Sequence, residues 1–103
     1  MEYTEIKYDM LFEKKGMLSY ISHLNLMMLF RRAIRRSGLP FILTKGFTPR
    51  VKISLPKALK LGVESDREEL QVWFKEELNE TMIKEKLNSE LPEGVHINDV
   101  QRG

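Results

Sequence analysis

Arg31, Arg32, Arg35 and Arg36 stand in two adjacent pairs with helical spacing between them. On a helix of 3.6 residues per turn they fall within roughly 140° of arc, with Asn25 beside them. Guanidiniums at i,i+4 spacing repel one another, and no Asp or Glu occurs between Lys14 and Val63 to offset them. A guanidinium is a planar fork of N–H donors that matches phosphate and carboxylate oxygens. The chemistry on offer is therefore recognition of an anion. The competing reading is a solvated basic face, favoured by the negative end of its helix or paired with glutamates of a second helix.

A second constellation follows in Lys45-Gly46-Phe47-Thr48-Pro49-Arg50, with Lys52 just beyond. Glycine lets backbone amides come close to a phosphate, and the flanking cations add charge-assisted contacts. The same residues also describe a plain turn between two strand pieces, with Phe47 plugging the core. Arg50, Lys52 and Ser54 alternate with Val51, Ile53 and Leu55, and Gln71, Trp73 and Lys75 alternate with Leu70, Val72 and Phe74. If the apolar sets face the helices, the others share the far side of a sheet. A cationic sheet bearing an aromatic is one way RNA-binding folds stack bases. Trp73 is the stacking candidate, and packing against a further segment or a partner is the alternative.

The remaining reactive types are sparse. His23 falls in the apolar arc of the first helix turn, which predicts a partly buried, hydrogen-bonded side chain rather than a catalyst. Neither His23 nor His96 has an acidic neighbour or a metal-ligand spacing. No catalytic residue, metal site or cofactor is expected. The chain has no cysteine, which excludes a disulfide frame, a thiolate zinc site and a three-cysteine iron–sulfur cluster. Met17, Met27 and Met28 read as core filler or a soft contact surface.

These side chains must be positioned by a small scaffold. The chain has 103 residues, 42% apolar and 31% charged, with a net charge of +2. That composition supports one modest core, so a single domain over 1–103 is expected. The charge is segregated. Lys14 to Val63 holds eleven Lys or Arg and no acid, Met1 to Glu13 four acids against one Lys, and Glu64 to Gly103 eleven acids against five bases. Clustered cations add their fields locally whatever the total charge. No apolar run is long enough for a membrane span or a secretory h-region, which predicts a cytoplasmic address.

Alternation over Ile6, Tyr8, Met10 and Phe12 predicts a strand ending at Lys14-Lys15-Gly16. Ser22 is an N-cap, with Ile21 and Leu26 as the hydrophobic staple, so a helix should begin at His23 and end at Ser37-Gly38 before Pro40. Phe41 to Thr44 and then Val51 to Leu55 make a second strand in pieces. Pro56 to Asp66 is irregular, and Leu70 to Phe74 forms a third strand. Asn79 caps a second helix whose buried stripe is Ile83, Leu87 and Leu91, and Pro92-Glu93-Gly94 stops it. Val95, Ile97 and Val100 supply a short last strand. The order βαββαβ is the ferredoxin-like α+β fold, a four-stranded antiparallel sheet with two helices on one face.

Four segments carry a resemblance: Tyr20-Ile21-Ser22-His23-Leu24-Asn25-Leu26-Met27, then Phe30 to Pro40, then Gly46-Phe47-Thr48-Pro49-Arg50-Val51-Lys52-Ile53-Ser54, then Leu61 to Ser65. As an ordered set they resemble the radical SAM-linked protein family, over Phe12 to about Val95. That family is a domain of unknown function, fused to radical SAM proteins or standing alone. The resemblance implies association with RNA modification or processing, through substrate RNA or a radical SAM partner, and implies no established activity. The family usually has Asp at the position of Asn25 and Asn at that of Thr48, so a role for a carboxylate at that helix start does not carry over. Its members tend to be longer, and this chain is expected to match the first half of the usual domain.

Three functions compete on these grounds. The first is a non-catalytic RNA-binding module in which Arg31, Arg32, Arg35, Arg36, Lys45, Gly46, Arg50 and Lys52 meet phosphates, with Ser22, His23, Asn25, Phe47 and Pro49 as a further candidate motif. The second is a protein-interaction module that docks its basic face on a radical SAM enzyme. The third is a metal-independent ribonuclease with His23 as acid or base.

Overall fold

The computed structural model describes residues 4–57 and 59–103. Strand β1 (Ile6–Lys14) is followed by a short 3-10 helix (Gly16–Tyr20) and helix α1 (His23–Ser37). Strands β2 (Ile53–Ser54) and β3 (Ser65–Phe74), helix α2 (Glu80–Asn88) and strand β4 (Val95–Arg102) complete the order βαββαβ. The strands form one antiparallel sheet in the order β2-β3-β1-β4, as the ferredoxin-like reading requires.

Period-two alternation decides which face of the sheet is dry. Tyr8, Met10 and Phe12 of β1, Leu70, Val72 and Phe74 of β3, and Ile97 of β4 are buried. They share one cluster with Leu26, Phe30 and Ile34 of α1 and Ile83 and Leu87 of α2, so both helices cover the same face. Phe12 and Phe30 meet edge to face at 4.9 Å between ring centroids, a geometry that adds to plain area burial. The Tyr8 hydroxyl is satisfied inside this core. It donates to the Leu78 carbonyl at 2.9 Å and accepts from the Leu78 N–H at 2.8 Å, tying β1 to the start of α2.

The capping signals hold. Ser22 Oγ accepts from the Asn25 N–H at 3.1 Å, Asn79 Oδ1 accepts from the Met82 N–H at 3.0 Å, and α1 ends on Gly38 at φ 79°. Besides the second strand, which shrinks to Ile53–Ser54 with isolated bridges at Phe41, Leu43 and Val51, four boundaries differ from expectation. The approach to α1 is a 3-10 helix rather than a plain lead-in. β3 starts at Ser65, inside the stretch expected to be irregular, and β4 runs on to Arg102 across a register shift opposite Leu11 and Phe12.

The fourth is the end of α2, which stops at Asn88 rather than at Pro92-Glu93-Gly94. Asn88 faces the last strand there: its Nδ2 donates to the Ile97 carbonyl at 3.0 Å, and its Oδ1 accepts the Ile97 N–H at 2.7 Å. Leu91 is still partly buried against the core, beyond the helix.

Lys14 is an unexpected core residue, 1% exposed. Its position in β1 continues the inward-facing set, and its ammonium donates to the Lys60 carbonyl at 2.9 Å. The bond fastens the loop before β3 to the end of β1.

Asn88→Ala removes both partners of the buried Ile97 peptide, and unpaired buried groups cost about 1–3 kcal/mol. The urea midpoint should fall by the corresponding amount. Ser89→Ala removes only an exposed hydroxyl bond to the Lys86 carbonyl and should stay within about 0.5 kcal/mol of the native chain. Equal midpoints for the two variants would contradict the clamp.

Candidate functional site

Helix periodicity sorts α1 into two faces. Leu26, Phe30, Ala33 and Ile34 are buried, while Arg32, Arg35 and Arg36 are exposed and Arg31 is half-buried. Arg31, Arg32 and Arg35 line an open groove of about 510 Å³ together with Leu24, Met28 and Arg50. The groove's cations come from α1 and from the segment before β2, which meet because Arg31 reaches across. Its Nε donates to the Val51 carbonyl at 3.1 Å. Arg35 lies over the Phe41 ring with its guanidinium carbon 5.5 Å from the ring centroid.

Among the described residues no carboxylate pairs with the groove's arginines. Burial pushes the Arg31 guanidinium below its usual pKa, and the cation of Arg50 adds to the lowering. Five ion pairs join described residues: Lys7–Asp9, Lys15–Asp66, Lys52–Glu5, Lys57–Glu69 and Arg102–Glu77. None includes an arginine of α1 or Arg50. Glutamates of the second helix do not neutralise the basic face, and Glu80 of α2 instead accepts the Arg102 N–H at 2.9 Å.

The 45–50 segment is the tip of a hairpin-like arm. The Thr44 N–H donates to the Arg50 carbonyl at 2.7 Å, the Arg50 N–H donates to Thr44 Oγ1 at 3.1 Å, and Leu43 bridges Val51. These bonds use the Arg50 backbone within the arm and leave its side chain on the α1 side. Arg50 therefore does not share the open face of the sheet with Lys52 and Ser54, as simple alternation predicted. Lys45, Gly46, Phe47, Thr48 and Pro49 are exposed. Phe47 is fully so, which overturns its reading as a core plug.

The opposite face of the sheet is not the expected cationic platform. Asp9, Glu69, Gln71, Asp99 and Gln101 line a depression of about 900 Å³ with Asp66 and Arg67, and Gln71 Nε2 donates to Asp9 Oδ1 at 3.2 Å. Sequence alternation found β3 and Lys52 but not the acids that β1 and β4 place beside them. Lys52 pairs with Glu5 and sits 5.0 Å from the centroid of Trp73. Both residues are half-buried and stand apart from the arginine groove.

Three helix-start candidates resolve differently. Ser22 is a cap. Asn25 is exposed with its N–H held by that cap. His23 is exposed, against the expected partial burial, as is the whole start of α1 from Ser22 to Asn25, and burial begins only at Leu26. It makes no hydrogen bond or ion pair with a described residue. His96, also exposed, has its Nδ1 2.9 Å from Asn98 Oδ1. Among the described residues no three His, Asp or Glu side chains are grouped to hold a metal ion, and no helix is long and apolar enough to cross a membrane.

Sequence reasoning missed Leu24 and left Met28 open between core filler and soft contact surface; the two are 61% and 48% exposed beside the arginines. Their i,i+4 spacing, in line with Arg31 and Arg35, was the available signal.

An anion should bind this groove and raise stability by mass action, by about 2.7 kcal/mol at a hundredfold excess over Kd. Tripolyphosphate is expected to raise the thermal midpoint of the native chain at low salt. It should have little effect on Arg31→Gln/Arg50→Gln, and Arg50→Gln alone should not lower the midpoint without anion, since it removes a like-charge contact. A shift of equal size in native and doubly substituted chains would contradict the site.

A comparison with curated proteins finds no significant match. A family profile does match, over residues 7–102, from the second residue of β1 to the last of β4. Its description names no activity, cofactor or partner. The match covers nearly the whole fold just described, and the chain belongs to that family, described as an uncharacterized protein conserved in bacteria (DUF2344).

Proposed function

We propose that the chain is a non-catalytic RNA-binding module, one ferredoxin-like domain that meets phosphates with the basic side of α1 and its neighbouring arm. The observation that supports this reading is the groove in which Arg31, Arg32, Arg35 and Arg50 gather without an ion-paired carboxylate among the described residues. Arg36 continues the charge along α1, and Lys45 extends it along the arm. Phosphates spaced along a polyanion can occupy several such sites at once and release counterions as they do so. Lys52 and Trp73 have no part in this version, since they belong to the other face. A ribonuclease reading gains little, because His23 has no orienting partner among the described residues.

A second reading rests on a separate observation. Met17, Tyr20, Leu61 and Val63 are exposed apolar residues near the 3-10 helix and the loop before β3, in addition to Leu24 and Met28. Apolar area rimmed by arginine is also how a protein partner with an acidic border is held. In that version the partner is a radical SAM protein, as the resemblance implies.

Filter-binding titrations against transfer RNA, ribosomal RNA fragments and DNA at two salt concentrations test the first reading. Affinity should fall with log salt by about 0.9 per neutralised phosphate on a duplex and about 0.7 on a single strand. Arg31→Glu/Arg35→Glu should weaken binding at least tenfold, or about 1.4 kcal/mol. Unchanged binding by that variant would refute the assignment of this face. A radical SAM protein retained by the native chain after nuclease treatment would favour the second reading.

A further inference from the structure

Phe47 is the most exposed large apolar residue described, at 109% of its reference area. A phenyl ring held fully in water keeps all its apolar surface hydrated, a cost that a folded chain ordinarily avoids by burial. Its position is built rather than frayed. The arm is closed behind it by the two Thr44–Arg50 hydrogen bonds and the Leu43–Val51 bridge. Gly46, at φ 132°, supplies the backbone conformation that a side-chain-bearing residue rarely adopts, and it directly precedes the ring. Lys45 lies on one side of the tip and Arg50 on the other, and Arg50 is continuous with the α1 groove.

A ring flanked by cations that lead into an arginine groove, with no ion-paired carboxylate among the described residues, has the composition of a nucleotide site. The cations suit the phosphates and the ring suits the face of a base. Base faces are available only where bases are unstacked, in single strands, loops and bulges, and not inside a duplex.

We infer that Phe47 stacks on an unpaired base, so that the polyanion bound here is single-stranded or looped RNA rather than duplex. This rests on the RNA-binding reading and narrows it to a substrate class. The arm supplies the base contact, and Arg31, Arg32, Arg35 and Arg50 hold the phosphates on either side of that base. Discrimination between strands and duplexes then resides at the tip, whereas the salt dependence resides in the groove.

Fluorescence anisotropy separates these roles, using a short labelled oligouridylate free and annealed to oligoadenylate, with native, Phe47→Ala, Phe47→Trp and Arg31→Glu/Arg35→Glu chains. Native protein should prefer the free strand. Phe47→Ala should bind it roughly tenfold more weakly, in keeping with the stacking contribution of a single base, with the same slope against log salt and unchanged affinity for the annealed RNA. Phe47→Trp should restore the preference, and Arg31→Glu/Arg35→Glu should weaken both complexes. Native binding that Phe47→Ala leaves intact overturns the stacking role while keeping the RNA reading. Equal loss on free and annealed RNA overturns it as well. No native binding to either RNA, including the case of Phe47-dependent binding to phosphatidylglycerol vesicles instead, overturns both.

Discussion

The basic face of α1 exists because the opposite face is committed to the core. Leu26, Phe30, Ala33 and Ile34 are locked against the sheet, with Phe30 meeting Phe12 edge to face. The rotation that buries them necessarily turns Arg32, Arg35 and Arg36 toward water and lays Arg31 across to the Val51 carbonyl. The guanidiniums cannot disperse by rotating the helix without exposing that stripe. Their mutual repulsion is accepted within a fold stabilised by burial elsewhere, and a bound anion is the natural means of relieving it.

The sheet separates two electrostatic surfaces. On the helix side, arginines from α1 and the arm converge with no carboxylate bound to them among the described residues. On the other side, β1, β3 and β4 place Asp9, Glu69 and Asp99 together around Gln71 and Gln101. Three lysines of the acid-free segment bridge the two regimes: Lys15 pairs with Asp66, Lys52 with Glu5 and Lys57 with Glu69, while Lys14 is buried on a carbonyl. Within the acid-free segment the ion pairs among described residues thus fall on lysines and not on the arginines of α1 or Arg50, a division in keeping with the guanidinium's weaker hydration and bidentate geometry.

Much of the scaffold was legible in the sequence because its signals are local. Ser22 and Asn79 cap by their own side chains, Gly38 ends α1, and alternation in β1 and β3 marks the buried face, so element order and the ferredoxin-like sheet could be read. The failures are those of properties set by tertiary contacts. The end of α2 is decided by Asn88 reaching the Ile97 peptide, the burial of Lys14 by a loop carbonyl distant in sequence, and the side on which Arg50 emerges by the Thr44 pairing. Phe47 carries no periodicity that tells a tip from a plug, and the acids of β1 and β4 join the sheet face only once register is known. The α1 arginines and Arg50 were readable as one basic set; that Arg50 closes a groove with them beside Leu24 and Met28 was not.

A heteronuclear NMR titration of labelled protein with single-stranded RNA tests where the ligand sits. The expected shifts fall on the exposed side of α1 from Leu24 to Arg36 and on the arm from Thr44 to Arg50, with Asp9, Gln71, Asp99 and Gln101 unmoved. Shifts confined to the open face of the sheet around Trp73 and Gln71, with the α1 arginines silent, would contradict the arginine groove as the binding surface.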